Sequence, residues 1–348
     1  MSFDKKILVI GGGFAGARVT QDLARAGFTD ITLIDKKDYF EVTYATMRAV
    51  AQPELGQRSR RAYADFINGE FVQDVVDELT PTNAILANGE RLKFDIAVVA
   101  TGSSYPTFPI GKSQDSMTLA DRNAEVASAH DKLGAAQNVL IIGGGIVGVE
   151  LAGEIADHYP DKSVTLAHAG GRLLEELKPK AGKIAAEKLE DLGVTIHCNT
   201  MVEEGDEHHS KADLIYTCIG LKPNTSLVTH NFPSSLDANA RLIVDGRFRV
   251  EGTENLYALG DCANVPEGKL GYLADQQAAA LAKNIIATAK GKPTRDYKPN
   301  PMMALVPVGR KQGVVQLPFA VTTLGFMVNM KQKDMFISKT YKQLGASK

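Results

Sequence analysis

The segment KKILVIGGGFAGARVTQDLARAGFTDITLID runs from Lys5 to Asp35, and QNVLIIGGGIVGVELAGEIADHYPDKSVTLAH runs from Gln137 to His168. The second repeats the first: Gly11, Gly13 and Gly16 recur as Gly143, Gly145 and Gly148, an offset of 132 residues. Each copy reads as an apolar strand, a glycine turn, an amphipathic helix and a second strand (Ile31–Ile34 and Val164–Ala167). A G-x-G-x-x-G turn in that setting makes a dinucleotide cradle. The first glycine turns the chain, the second admits a pyrophosphate close to backbone, and the third lets helix pack on strand. The helix amino terminus adds free N–H groups and its positive dipole end. Two copies predict two bound dinucleotides.

The residue ending each second strand separates them. Asp35, nineteen residues past Gly16, can accept hydrogen bonds from both ribose hydroxyls of an adenosine without a 2′-phosphate. The aligned residue in the second copy is His168, with Arg172 four residues on. An imidazole and a guanidinium tolerate or attract a 2′-phosphate, which predicts NADPH as well as NADH. The alternative makes His168 a plain strand end and Arg172 a solvated charge.

Around these cradles the chain is an ordinary globular one. Its 348 residues suit two or three domains, with 44% hydrophobic and 23% charged residues. The net charge of −2 argues against a nucleic-acid binder. Only three cysteines occur, Cys198, Cys218 and Cys262, with no C-x-x-C or C-x4-C spacing. Disulfide scaffolds, cysteine zinc sites and local redox disulfides are thereby disfavoured, and a reduced, cytoplasmic setting is expected. Ile7–Ile10 is too short for a signal-peptide core and Ser2 is not a myristoylation glycine. No stretch approaches the roughly 20 apolar residues of a membrane span. EEGDEHH at Glu203–His209 reads as a solvated turn, so no metal site is expected, and Arg58, Arg60 and Arg61 read as a loop face.

Asn83–Asp95 reads as a hairpin around Asn88-Gly89. A strand at Ile96–Ala100 leads into Thr101-Gly102, and Ser103–Pro109 suits a crossing between domains. Helices are expected from about Lys180 to Leu192 and Leu273 to Ala289, with a strand ending in Gly260-Asp261 before the latter. The order of GGGFAG at 11–16, the 35–40 stretch, ATG at 100–102, GGGIVGVE at 143–150, GDCA at 260–263 and YKPNPMMALVPVGRKQGVVQ at 297–316 is a signature. It resembles two-dinucleotide flavoprotein oxidoreductases of the pyridine nucleotide family. Within that family it is most similar to apoptosis-inducing-factor-like proteins of the ferroptosis suppressor type, which are NAD(P)H:quinone oxidoreductases.

The resemblance implies an α/β fold of two Rossmann-like dinucleotide-binding domains plus a small carboxyl-terminal α+β domain. The FAD domain would comprise residues 1–105 and 232–294, the NAD(P)H domain 106–231, and the last domain 295–348 would close over the flavin. Gly11, Gly12, Gly13, Phe14, Ala15 and Gly16 would cradle the FAD pyrophosphate, and Asp35 its ribose. Arg48 would reach the flavin side, Val76 would meet the adenine through its backbone, and Asp261 would hydrogen-bond the ribitol. Thr101, Gly102 and Gly260 complete that contact set. Gly143, Gly145 and Gly148, with His168 and Arg172, would hold NADPH or NADH. Glu150 would border the nicotinamide, positioning its carboxamide or pairing with a lysine; the alternative is an ordinary first-turn glutamate.

Two facing nucleotides imply hydride transfer from NAD(P)H to FAD. Related disulfide reductases place a redox cysteine pair where this chain has YFEVTYATMRAV, so the electrons must leave to an external acceptor. A quinone would fit a pocket near Tyr272, Gln276 and Gln277, unless those glutamines merely begin a helix. Cys262 is expected to be a buried structural thiol. Two further functions stand beside this one: a ferredoxin-type reductase, and a redox-sensing interaction protein.

From Arg295 to Lys348 there are nine basic and two acidic residues, a net +7 in a chain that is acidic elsewhere. Phe326, Met330, Ile337, Tyr341 and Leu344 fall at helix-like spacings there. One reading is a basic amphipathic surface docked peripherally on anionic lipid. The other is a strand-and-helix unit with its apolar face on the core. Nothing in the pattern assigns an oligomeric state.

Overall fold

The computed structural model describes residues 4–346, so Ser2 and Lys348 lie outside the described residues. Apolar runs such as Ile7–Ile10, buried at all four positions, suit strands covered on both faces. Five such strands form a parallel sheet in the order Leu256–Ala258, Ile96–Val99, Ile7–Ile10, Ile31–Asp35, Glu70–Gln73. A second parallel sheet runs Thr195–His197, Ser163–Ala167, Asn138–Ile142, Leu214–Thr217. The two repeats pair alike, Ile7 with Ile31 and Asn138 with Ser163. Helices Phe14–Arg25 and Ile146–His158 follow the two glycine turns. This is the expected α/β fold with two Rossmann-like units.

The hairpin around Asn88-Gly89 is present, and Val76–Leu79 adds a third antiparallel strand that the polar VDEL pattern hid. The chain passes between the two sheets at Ser103–Ser104 and returns at Lys222–Pro223, where the crossings pair antiparallel. No described helix is long and apolar enough to cross a membrane.

The carboxyl-terminal segment has the expected mixture, three antiparallel strands (Ala304–Val308, Gln312–Gln316, Val321–Thr322) and helices Gly325–Gln332 and Ile337–Leu344. It lacks a core of its own. Val306, Val308, Val314 and Val321 join the second nucleotide unit's core, while Met335, Ile337, Tyr341 and Leu344 join the first. The two readings of its apolar spacing therefore divide. Ile337, Tyr341 and Leu344 are buried, whereas Leu324, Phe326 and Met330 are exposed.

Arg48 departs from its expected place at the flavin. Its guanidinium is buried and donates to both Glu154 carboxylate oxygens at 2.8–3.0 Å. It also donates to the Gln332 carbonyl at 2.8 Å and to the Gln332 side chain. Helix Thr46–Ala51, the second cradle's helix and the carboxyl-terminal helix thus meet on one side chain. Arg60 and Arg61 are likewise not a loop face. Arg60 is buried against Glu41, which Arg122 shares, and Arg61 lies 4.7 Å over the Tyr341 ring. Arg58 alone is exposed as expected.

Removing one partner of a buried ion pair leaves the other charge unpaired, so Arg48→Ala is expected to destabilise the protein by roughly 3–5 kcal/mol. The double variant Arg48→Met, Glu154→Leu should recover most of that loss in urea unfolding; a single-variant loss below about 1 kcal/mol would contradict the junction role.

Candidate functional site

Both glycine turns are built by exclusion. A Cβ on Gly16 would lie 1.8 Å from the Gly11 carbonyl oxygen, and one on Gly148 would lie 1.9 Å from that of Gly143. Each helix start is thereby drawn onto its strand. Gly11 and Gly143 hold φ of +97° and +115°, which a side chain would strain. At Gly13 nothing stands within 4 Å of a Cβ, so this face of the turn is open for a ligand.

In the first cradle the Asp35 carboxylate accepts the Gly12 N–H at 2.6 Å and the Lys37 N–H at 2.8 Å. Those bonds fix the carboxylate and leave lone pairs for a ribose. Tyr63, which composition did not flag, backs the turn: a Cβ at Gly12 would strike its hydroxyl at 2.2 Å. The cradle opens into a cavity of about 1230 Å³. Gly11, Gly13, Phe14, Ala15, Asp35, Val76, Thr101, Gly102, Gly260, Asp261, Glu150 and Gln276 all line it. A single small ligand needs roughly 300–1,000 Å³, and this space suits a larger, elongated one. The open glycine face and the fixed carboxylate fit FAD.

In the second cradle the Gly144 N–H donates to His168 Nδ1 at 3.2 Å, the role that Asp35 plays in the first. Arg172 departs from expectation. Its two terminal nitrogens donate to the carbonyls of Leu173, Leu174, Glu175 and Leu177, so it stiffens its own loop rather than waiting for a phosphate. Glu176, unflagged in the sequence, accepts the Ile146 N–H at the helix amino terminus at 3.0 Å. Gly143, Gly145 and Gly148 form the turn as in the first repeat and lie outside the large cavity.

Two ion pairs line the cavity. Glu150 Oε1 accepts from Lys331 Nζ at 2.7 Å, and Lys331 also donates to the Leu305 carbonyl. Burial pushes the Glu150 carboxyl above its ordinary value even with that ammonium beside it. Asp261 Oδ2 accepts from Lys112 at 2.8 Å and from the Ser103 hydroxyl at 2.6 Å. Burial alone would raise the Asp261 carboxyl, but the ammonium and hydroxyl hold it below its ordinary value. Glu150 is thus paired with a lysine, as one of its expected roles had it, but neither Lys112 nor Lys331 was identified as a partner from the sequence. They lie 149 and 181 residues from their carboxylates, and no local pattern links such positions.

The glutamine pair separates. Gln276 is exposed to the cavity beside Tyr272, whereas Gln277 is buried with its Oε1 accepting the Gly260 N–H and its Nε2 donating to Glu267. Gln277 therefore supports the Gly260-Asp261 turn instead of meeting an acceptor. Cys262 is a buried thiol donating to the Leu259 carbonyl, the structural role expected of it.

The sequence profile of the pyridine nucleotide-disulphide oxidoreductase family matches residues 5–289. Ferroptosis suppressor protein 1 of Xenopus tropicalis is 31% identical, covering 98% of this chain and 96% of the relative. Its Homo sapiens counterpart is also 31% identical over the same shares. Apoptosis-inducing factor homolog B of Dictyostelium discoideum is 28% identical, covering 99% and 98%. Among solved structures, NDH2 from Plasmodium falciparum in complex with NADH superposes with a TM-score of 0.77 at 16% identity, covering 99% of this chain and 97% of that one. Sulfide:quinone oxidoreductase of Aquifex aeolicus gives 0.77 at 17% identity, covering 97% and 92%. These two share the fold. The chain belongs to the pyridine nucleotide-disulphide oxidoreductase family.

The divided roles of the glutamines are testable together. Gln277→Ala leaves a buried N–H unpaired and is expected to lower unfolding free energy by about 1–3 kcal/mol with loss of flavin on dialysis. Gln276→Ala should keep both stability and flavin; equal losses in the two variants would contradict the assignment.

Proposed function

From that membership we propose that the protein is an FAD-dependent NAD(P)H oxidoreductase that delivers two electrons to a quinone. The observation that carries the reading is the Glu150–Lys331 pair, which lines the cavity and joins a helix of the second cradle to a helix of the carboxyl-terminal segment. FAD, when bound, would supply the hydride-accepting and electron-donating chemistry. The chain binds, aligns and shields. The first glycine turn and Asp35 would hold the adenosine and pyrophosphate end, and Val76, in the same cavity lining, would meet the adenine. Asp261, kept ionised by Lys112, offers an acceptor to a polyol such as ribitol. Lys331 Nζ donates a hydrogen bond to Glu150 Oε1, and this pair would supply the proton that reduction of a quinone consumes. Phe14, Tyr44, Met327 and Phe336 give the cavity an apolar wall.

The exit for electrons follows from the thiols and the walls. None of the free cysteines is vicinal to another, and Cys262 is fully buried, so no disulfide relay is supported. Phe14 and Tyr44 pack 4.7 Å apart and Tyr44 lies 6.3 Å from Phe336, an apolar aromatic wall suited to a flat neutral acceptor. In the same carboxyl-terminal segment Phe319, Leu324, Phe326 and Met330 are exposed, as are Lys333, Lys339 and Lys342, and Met330 and Lys339 also line the cavity. Apolar side chains fringed by lysines favour peripheral docking of a cytoplasmic protein on anionic lipid, which carries the quinone. This fringe favours lipid over an acidic protein partner.

Purified protein should be yellow and should oxidise NADH or NADPH with a soluble quinone; no turnover would refute the reading. Lys331→Met is expected to keep the flavin spectrum while lowering kcat about 100-fold, equivalent to roughly 2.7 kcal/mol of barrier. Undiminished turnover would remove the pair from the reaction. A Phe319→Ser, Leu324→Ser, Phe326→Ser variant should keep activity on a water-soluble quinone yet sediment less with vesicles containing anionic lipid. Equal sedimentation would refute the docking surface.

A further inference from the structure

We infer that the second cradle is built to read a ribose 2′-hydroxyl through Glu175, so that the protein takes NADH in preference to NADPH. The inference rests on the reading that this cradle holds a nicotinamide dinucleotide.

The two strand ends differ by one imidazole. Asp35 accepts the Gly12 N–H directly, while in the second repeat His168 Nδ1 accepts the equivalent Gly144 N–H. A neutral ring that accepts at Nδ1 carries its proton at Nε2. That Nε2 is buried and has no hydrogen-bond partner among the described residues. Such an orphan donor is costly unless something completes it. The carboxylate facing it is Glu175, whose Oε2 lies 3.9 Å away, beyond a direct hydrogen bond.

Glu175 is held there. Its Oε1 accepts the Gly171 N–H at 3.1 Å, and a Cβ on Gly170 would lie only 2.4–2.7 Å from the carboxylate atoms. The loop is thus shaped so that its own glutamate folds back over the strand end. A ribose 2′-hydroxyl can accept from His168 Nε2–H and donate to Glu175, closing the gap between them. A 2′-phosphate brings close to two negative charges to the same place. It would meet Glu175 there and Glu176 at the adjoining helix amino terminus. The two basic residues of the same loop, Arg172 and Lys178, have their donors committed elsewhere, Arg172 to four loop carbonyls and Lys178 to the Pro318 carbonyl. An acidic reader paired with no free arginine is the arrangement that favours NAD over NADP. Glu175 comes from the loop after the strand, which is why the strand-end residue alone pointed the other way.

The test is calorimetric titration of the FAD-loaded protein with NAD⁺ and with NADP⁺, where no turnover intervenes. The unmodified protein should bind NAD⁺ at least about tenfold more tightly. Glu175→Gln, a change on the exposed loop, should weaken NAD⁺ and tighten NADP⁺, bringing the two within about threefold while FAD content stays the same. Glu175→Lys should reverse the order. Equal affinities in the unmodified protein, or a ratio that Glu175→Gln leaves in place, would overturn the inference alone. Binding of neither nucleotide by protein that retains FAD would overturn the functional reading beneath it.

Discussion

The structure depends on two places where a helix is pressed against a turn until only hydrogen fits between them. At Gly16 and Gly148 a single methyl group would overlap a carbonyl oxygen of the preceding turn. That closeness aims each helix amino terminus at the strand end and brings the Gly12 and Gly144 amides to Asp35 and His168. The rest of the site is arranged around these two fixed points. The crossing strands tie the two sheets together, and the carboxyl-terminal segment packs on both cores.

Much of this was legible because the signals are local. A buried parallel strand must be continuously apolar, and a phosphate turn must be glycine at set intervals, so ILVIGGG and VLIIGGG declare themselves within a dozen residues. The ends of the helices Pro179–Asp191 and Gly271–Ala289 fall within about two residues of their expected limits, because periodicity and flanking glycines mark them. Strand Val76–Leu79 was not marked: one face meets solvent and its residues are VDEL.

What the sequence did not disclose is which distant charges meet. Arg48 lies among residues that resemble a flavin-contact stretch, yet it is closer to Glu154 and Gln332 than to the cavity. Gln276 and Gln277 are neighbours of one type, and helix geometry turns them about 100° apart, one to the cavity and one to the core. Arg172 looked like a phosphate ligand because the residue type is right. Four loop carbonyls left by an irregular backbone claim it first. Lys331 looked like one more surface lysine in a basic tail, and only the tertiary fold brings it to Glu150.

The carboxyl-terminal segment contributes side chains to both cores and a lysine to the cavity without assembling an interior for itself. Its helices therefore act as a clasp across the two nucleotide units. Loosening the clasp at one point would strip side chains from two interiors at once and part Lys331 from Glu150.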